Sequence, residues 1–251
     1  MDVLVCLKRT PAVGSAVPLT ADGLGIDTRT MGFTIGPHEE CAVEEAVRIA
    51  ERTGGSAGVL TVGPPEAEEQ LRYAMSMGAD HAVRVDAGTA DPDPEQTAAA
   101  ITTGLRELGG HPLVLFGATS ADSGHHQVGA RVARALRRPF VGWVKGLDVA
   151  DDEVWARREV DDQVETYRAP LPAVLAVAEG LNLPRYPTIK GRLRARKAPI
   201  QLVAAHPGPG GLRTVRLRHP AGVATEAVVL GRGAAAAGAV VDVFEQLGVT
   251  R

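Results

Sequence analysis

Several features are scarce or missing in this chain, and each shortage removes a class of function. Only two cysteines occur among 251 residues, Cys6 and Cys41, so no disulfide framework is available, and they lack the CxxC spacing of metal or redox motifs. No apolar run approaches the roughly 20 residues of a membrane span, and the N-terminal MDVLVCLKRT passes too quickly into charge for a signal peptide. A cytoplasmic protein with no direct membrane insertion is expected. The formal net charge of -3 provides no electrostatic footprint for nucleic acid. There is no GxSxG, no Walker sequence and no HExxH, and the Asp151-Asp152 and Asp161-Asp162 pairs read as turn residues rather than catalytic carboxylates. His125 and His126, being adjacent, point apart on a helix and define no metal site.

What is present is a hydrophobic fraction of 45%, enough for a substantial core, arranged in alternating strand and helix patterns. Val3 to Leu7, Gly58 to Val62, His81 to Val85 and Leu113 to Phe116 read as buried strands. Between them His38 to Arg52, Glu66 to Met77 and Glu95 to Leu108 read as helices. The first has Pro37 at its start, Glu39, Glu40, Glu44 and Glu45 early, Arg48 and Arg52 late, and Gly54-Gly55 as a stop. Asp91 to Pro94 reads as the turn before the third helix. Such alternation implies a parallel sheet with right-handed crossovers and helices on both faces. After Pro139, Phe140 to Val149, Glu153 to Val160 and Val164 to Ala169 read as an antiparallel meander, and Pro172 to Val177 as another buried strand. Leu181 to Pro199 has no clean period and reads as an exposed segment. Pro207 to Gly211 reads as a linker, Arg213 to Arg218 as a strand and Ala234 to Leu247 as a terminal helix.

The stretch LVLFGATSADSGHHQVG, Leu113 to Gly129, is the candidate binding site. It reads as a strand, a loop of small and polar residues, and a helix opening near Gly124. Unpaired N–H groups at such a helix start, reinforced by the helix dipole, suit a phosphate. Gly117 lets a ligand approach the backbone, Asp122 suits a ribose hydroxyl or a helix cap, and Ser120, Ser123 and Gln127 supply further polar groups. A plain strand-to-helix connection, capped by Asp122 or Ser123, explains the same spacing.

Eight ordered segments resemble the β subunit of electron transfer flavoproteins. They are VLVCLKR at the start, Pro37 to Arg48, Val62 to Pro64, Leu71 to Asp80, Gly117 to Gly129, REVD at Arg158 to Asp161, LPAV at Leu171 to Val174, and LNLPRY at Leu181 to Tyr186. The resemblance covers roughly residues 1 to 200; each segment is weak alone, and their order makes the set specific. It implies a doubly wound, mostly parallel α/β domain of the Rossmann-like, adenine nucleotide α-hydrolase-like kind, spanning 1–199, with an antiparallel meander. Residues 200–251 would form a C-terminal arm contacting the partner.

The resemblance also implies a function: a subunit without its own catalytic centre, paired with a larger α subunit that holds most of the FAD. Electrons would pass from flavin dehydrogenases, such as acyl-CoA dehydrogenases, to a quinone oxidoreductase or other acceptor. AMP, or a second FAD in its place, would be bound by Cys6, Gly36, Pro37, His38, Glu39, Val62, Gly117, Ala118, Thr119, Ser120, Ala121, Asp122, Ser123, Gly124, His125, His126, Gln127 and Val128. This loop is less acidic than the family's, with one aspartate where three usually run. Val13 and His38 stand where the family places aromatics near the flavin. Ile189 would be the aliphatic anchor of a dehydrogenase-docking loop, with Arg185, Arg194 and Lys197 around it. Two other classes fit the fold pattern: an ATP-hydrolysing or adenylating enzyme acting at Gly117 to Gly129, and a nucleotide-sensing module of the universal-stress type.

Overall fold

The computed structural model describes residues 1–12, 17–88, 92–220 and 227–249, and the chain divides into two compact units, Met1–Val215 and Arg216–Arg251. Val13 and Asp91 fall outside the described residues.

The first unit is built on a seven-stranded parallel sheet. In chain order its elements are β1 (Val3–Cys6), the short pair β2 (Thr10–Pro11) and β3 (Phe33–Thr34), α1 (Pro37–Thr53), β4 (Ala57–Val62), α2 (Glu68–Met77) and β5 (His81–Asp86). Then follow α3 (Pro94–Glu107), β6 (Leu113–Gly117), α4 (Val128–Leu136), β7 (Phe140–Val144), the antiparallel trio β8 (Gly146–Val149), β9 (Glu153–Val160) and β10 (Gln163–Pro170), β11 (Ala173–Val177), α5 (Ile189–Lys197) and β12 (Ile200–Ala204). The sheet order is β12-β5-β4-β1-β6-β11-β7. Strand alternation divides the core in two. Val3, Val5, Leu113, Leu115 and Leu175 face α1 and α2, whereas Leu4, Cys6, Val114, Phe116 and Val174 face α3 and α4. The fold is thus doubly wound, as expected.

The helices end where their chemistry requires. Pro37 occupies the first turn of α1, and Gly54, left-handed at φ 70°, closes it. In α3, Asp93 accepts from the Gln96 N–H while the Gln96 side chain accepts from the Asp93 N–H, a reciprocal capping box.

Four sequence expectations need correction. The run from Phe140 to Val149 is not one meander strand: β7 pairs in parallel with β11 in the main sheet, and only β8 continues into the antiparallel trio. The exposed segment after Leu181 contains a helix, α5, whose cap Thr188 accepts from the Gly191 N–H; its many Arg and Lys residues hide any apolar stripe, and only Ala195 is buried. Ile200–Ala204, with only Val203 fully buried, is the sheet's edge strand beside β5. Arg213 to Arg218 forms no strand.

Among its described residues the second unit carries one α-helix, α6 (Ala237–Gln246), entered through a 3-10 turn at Gly233–Ala236, with no buried side chain of its own. No helix among the described residues is long and apolar enough to cross a membrane.

Candidate functional site

Strand order locates the site. From β1 the chain moves to β4 and β5 on one side and then returns to β6 on the other. Loops leaving the C-terminal ends of β1 and β6 therefore stand where the strand order reverses, the place where ligand crevices form in doubly wound sheets. Lys8 emerges from β1 there, and its Nζ donates to Asp122 Oδ1 at 2.8 Å and Ser123 Oγ at 3.1 Å in the loop after β6. Burial pushes the Asp122 carboxyl up, but the hydrogen bond and charge of Lys8 prevail and hold it below the usual carboxylate range. Asp122 thus bonds a cation 114 residues away and caps no helix.

That helix also begins later than expected. Gly124 and His126 are both left-handed, at φ 56° and 57°, so the chain cannot be helical before Gln127, and α4 starts at Val128. The loop is closed on itself instead: the Gly124 N–H donates to Ser120 Oγ at 3.1 Å, Ser120 Oγ lies 3.1 Å from Ser123 Oγ, and Thr119 Oγ1 lies 3.3 Å from His126 Nε2. The Ala118 N–H ties its base to β11 through the Val177 carbonyl. Gln127 Oε1 accepts from Arg131 in the first turn of α4, and His125 is exposed.

The start of α1 forms the opposite wall. Glu39 is 4% exposed and its Oε2 has no hydrogen-bond partner. A Cβ at Gly117 would lie 2.8 Å from Glu39 Cδ, and one at Gly36 would lie 2.5 Å from Glu39 Oε2. A side chain at either glycine would therefore displace this carboxyl. Burial, with the negative charges of Asp122 and Glu40 adding to it, pushes Glu39 up to about 7, against the pull of Lys8. A Cβ at Gly36 would also stand 3.7 Å from the Ala121 methyl, so the tip of the β6 loop leans on the α1 turn.

The structure thus brings together Gly36, Glu39, Gly117, Ala121, Asp122 and Ser123, which sequence spacing alone left 80 residues apart. Val62 stands at the end of β4 on the far side of β1. Cys6 is buried among the residues facing α3 and α4, and burial raises its thiol pKa well above the ordinary value. His38 lies at the rim, where its Nδ1 accepts from the Glu179 N–H at 2.8 Å. Burial lowers the His38 pKa, His126 adding to the effect and Glu179 opposing it. Sequence reading missed Lys8, a cation directly following a buried strand, and Trp143, whose ring lies beside His38 and His126.

The residues gathered here are polar and carry charges of both signs, with Lys8 paired to Asp122. The unsatisfied group among them is the buried Glu39 Oε2, which can accept from a hydroxyl or amine donor, and beside it stands a loop rich in hydroxyls.

The segment from Leu181 to Lys197 is tied to α1 and α2. Arg185 donates to Glu44 Oε2 at 2.8 Å and Glu51 Oε1 at 2.7 Å, and Asn182 Nδ2 donates to Glu45 Oε2 at 3.0 Å. Arg194 Nη2 donates to the carbonyls of Met75 and Ala79 at the end of α2. These two arginines are consumed by internal bonds, while Ile189, 80% exposed, and Tyr186 project. Lys197 lies in the last turn of α5.

The profile of the family described as "Electron transfer flavoprotein domain" matches residues 23–207. Electron transfer flavoprotein subunit beta of Bacillus subtilis is 31% identical over 202 residues, covering 80% of this chain and 78% of that protein. The protein of the same name from Mycobacterium leprae is 35% identical over 208 residues, with the same coverage. The caffeyl-CoA reductase-Etf complex subunit CarD of Acetobacterium woodii is 31% identical over 204 residues, again covering 80% and 78%. With a doubly wound sheet, a family match over residues 23–207 and relatives of this identity along most of its length, the chain belongs to the electron transfer flavoproteins, among their β subunits.

Proposed function

We propose that this chain is the β subunit of a heterodimeric electron transfer flavoprotein, that it binds AMP, or a second FAD in its place, in the crevice between β1 and β6, and that it has no catalytic centre of its own. Its α subunit would hold most of the FAD, with the His38 side of this chain helping to enclose it. A bound flavin supplies the redox chemistry, accepting electrons from a flavin dehydrogenase such as an acyl-CoA dehydrogenase and passing them to a quinone oxidoreductase or other acceptor. The residues of this chain bind, position and exclude water. Lys8 fixes the loop after β6, the hydroxyls of Ser120 and Ser123 hold its turn, and Glu39 presents a carboxyl to the crevice. The residues 216–251 would contact the α subunit, and Ile189 on α5 would be the dehydrogenase anchor.

The observation that supports this reading is a buried, unpartnered Glu39 oxygen packed against Gly36 and Gly117 where the loops after β1 and β6 meet. An ATP-hydrolysing enzyme would need a group to activate water, and a Walker lysine is absent from the sequence. Denaturing the purified heterodimer and identifying the released small molecules by mass tests the proposal. AMP or excess FAD is the expected result, with no nucleotide hydrolysis by the native protein. A folded heterodimer that releases no adenine nucleotide refutes the crevice assignment.

A further inference from the structure

Trp143 occupies a place in the sheet that packing does not explain. Along β7 and β11, Val174 lies opposite Phe140, Leu175 opposite Val141, and Val177 opposite Val144, so β7 uses three residues where β11 uses two. This is a bulge, and it lets Val141 and Val144, which regular alternation would send to opposite faces, both enter the core facing α1. Within it Trp143 adopts φ 59°, a left-handed conformation that ordinarily falls to glycine. A bulky aromatic in that conformation is strained, and here the indole gains little burial in return, being 45% exposed.

Its neighbours share the anomaly. His126, in the loop after β6, is also left-handed at φ 57°, and its ring stacks on Trp143 with centroids 5.6 Å apart and planes 28° apart. His38, from the first turn of α1, meets the indole edge-on at 5.8 Å and 90°. Each histidine is held, His38 by the Glu179 N–H and His126 by Thr119 Oγ1. Three separate segments thus converge on one exposed indole at the C-terminal edge of the sheet, beside the nucleotide crevice. Two of the four left-handed non-glycine residues described meet there ring to ring.

We propose that Trp143, backed by His126 and edged by His38, is a stacking platform for a planar heteroaromatic ring, either the isoalloxazine of the flavin or the adenine of the nucleotide. The proposal rests on the nucleotide and flavin reading above. With His126 stacked on it and His38 at 90° to it, the indole is still 45% exposed, and that exposed surface can take an offset-stacked ring, the arrangement that aromatic quadrupoles favour. The platform stands on a strand end and two tethered side chains, so little conformational freedom is lost when a ring settles on it. It provides an aromatic contact in a chain that has His38 where an aromatic was expected from family resemblance.

The test uses the full chain carrying Trp155→Phe, in which Trp143 is the single tryptophan. FMN and AMP are titrated separately, following indole emission and measuring affinity by calorimetry. Emission should change on binding one of them. Trp143→Gly, which suits the left-handed backbone, should weaken that same ligand about tenfold, while Trp143→Phe retains most of the affinity. A response to FMN assigns the flavin ring, and a response to AMP assigns adenine; either supports the platform. If AMP or FMN binds to Trp143→Gly as tightly as to the parent and leaves the indole emission unchanged, the platform is wrong and the crevice reading survives. If neither ligand binds the wild-type chain, the platform is refuted, while the crevice assignment is decided separately by the nucleotide released from the heterodimer.

Discussion

Replacing Glu39 with glutamine should change how stability depends on pH, by an amount the structure sets. The Glu39 carboxyl is buried, has an unpartnered Oε2, and titrates at about 7 instead of the ordinary 4.5. Below pH 4.5 it is neutral in both folded and unfolded chains and adds nothing to the pH dependence. Between 4.5 and about 7 the unfolded chain releases this proton and the folded chain keeps it, so unfolding gains about 1.4 kcal/mol per pH unit, about 3 kcal/mol in all. Above about 7 both forms are ionised and the loss stays constant. The stability associated with this group is therefore complete at acid pH and lost as pH rises through the folded value. Glutamine has the same shape and no titration, so the stability of Glu39→Gln relative to wild type should rise by about 3 kcal/mol between about pH 4.5 and about pH 8. Urea unfolding of both proteins at several pH values measures it, and taking differences cancels every other titrating group. Saturating AMP should flatten the wild-type slope if a ligand donor reaches Oε2, because a hydrogen bond to the charged form pulls the pKa back down. A difference that stays constant across the pH range refutes the burial argument.

The remaining predictions concern a close contact and an exposed side chain. Gly117→Ala places a methyl 2.8 Å from Glu39 Cδ, and should destabilise the fold by about 1–3 kcal/mol. Combining it with Glu39→Ala should cost less than the two single changes added together, and strict additivity in denaturation would show that no clash exists. Ile189→Ala, at an 80% exposed position, should leave stability within about 0.5 kcal/mol of wild type. In the heterodimer it should slow flavin reduction by the dehydrogenase about tenfold at limiting concentration, if the side chain buries in a partner pocket. Stopped-flow reduction at the wild-type rate would remove Ile189 from the docking surface.

The sequence alone determined the alternating architecture and the family. Apolar runs such as Val3 to Cys6 and Leu113 to Phe116 report burial directly, because a strand covered on both faces has no polar side to show. The bounds of α1 follow from Pro37, the early glutamates and Gly54, since caps and the dipole act within a single turn. Local signals of this kind survive without knowledge of the rest of the chain. Tertiary structure alone decided the contacts that make the site. Lys8 meets Asp122 across 114 residues, and Glu44, which reads as a dipole-complementing helix residue, is in fact the buried partner of Arg185. Whether β7 joins the meander or the main sheet depends on pairing with β11 some 30 residues on, and the bulge that turns Trp143 outward exists only in that pairing. The departure of β12 and α5 from their sequence reading has a similar cause: an edge strand and a basic helix that bury one side chain each carry almost no periodic signal. Helix and strand periods record which residues are buried, whereas charge pairs, bulges and strand order arise from surfaces that meet only once the chain has folded.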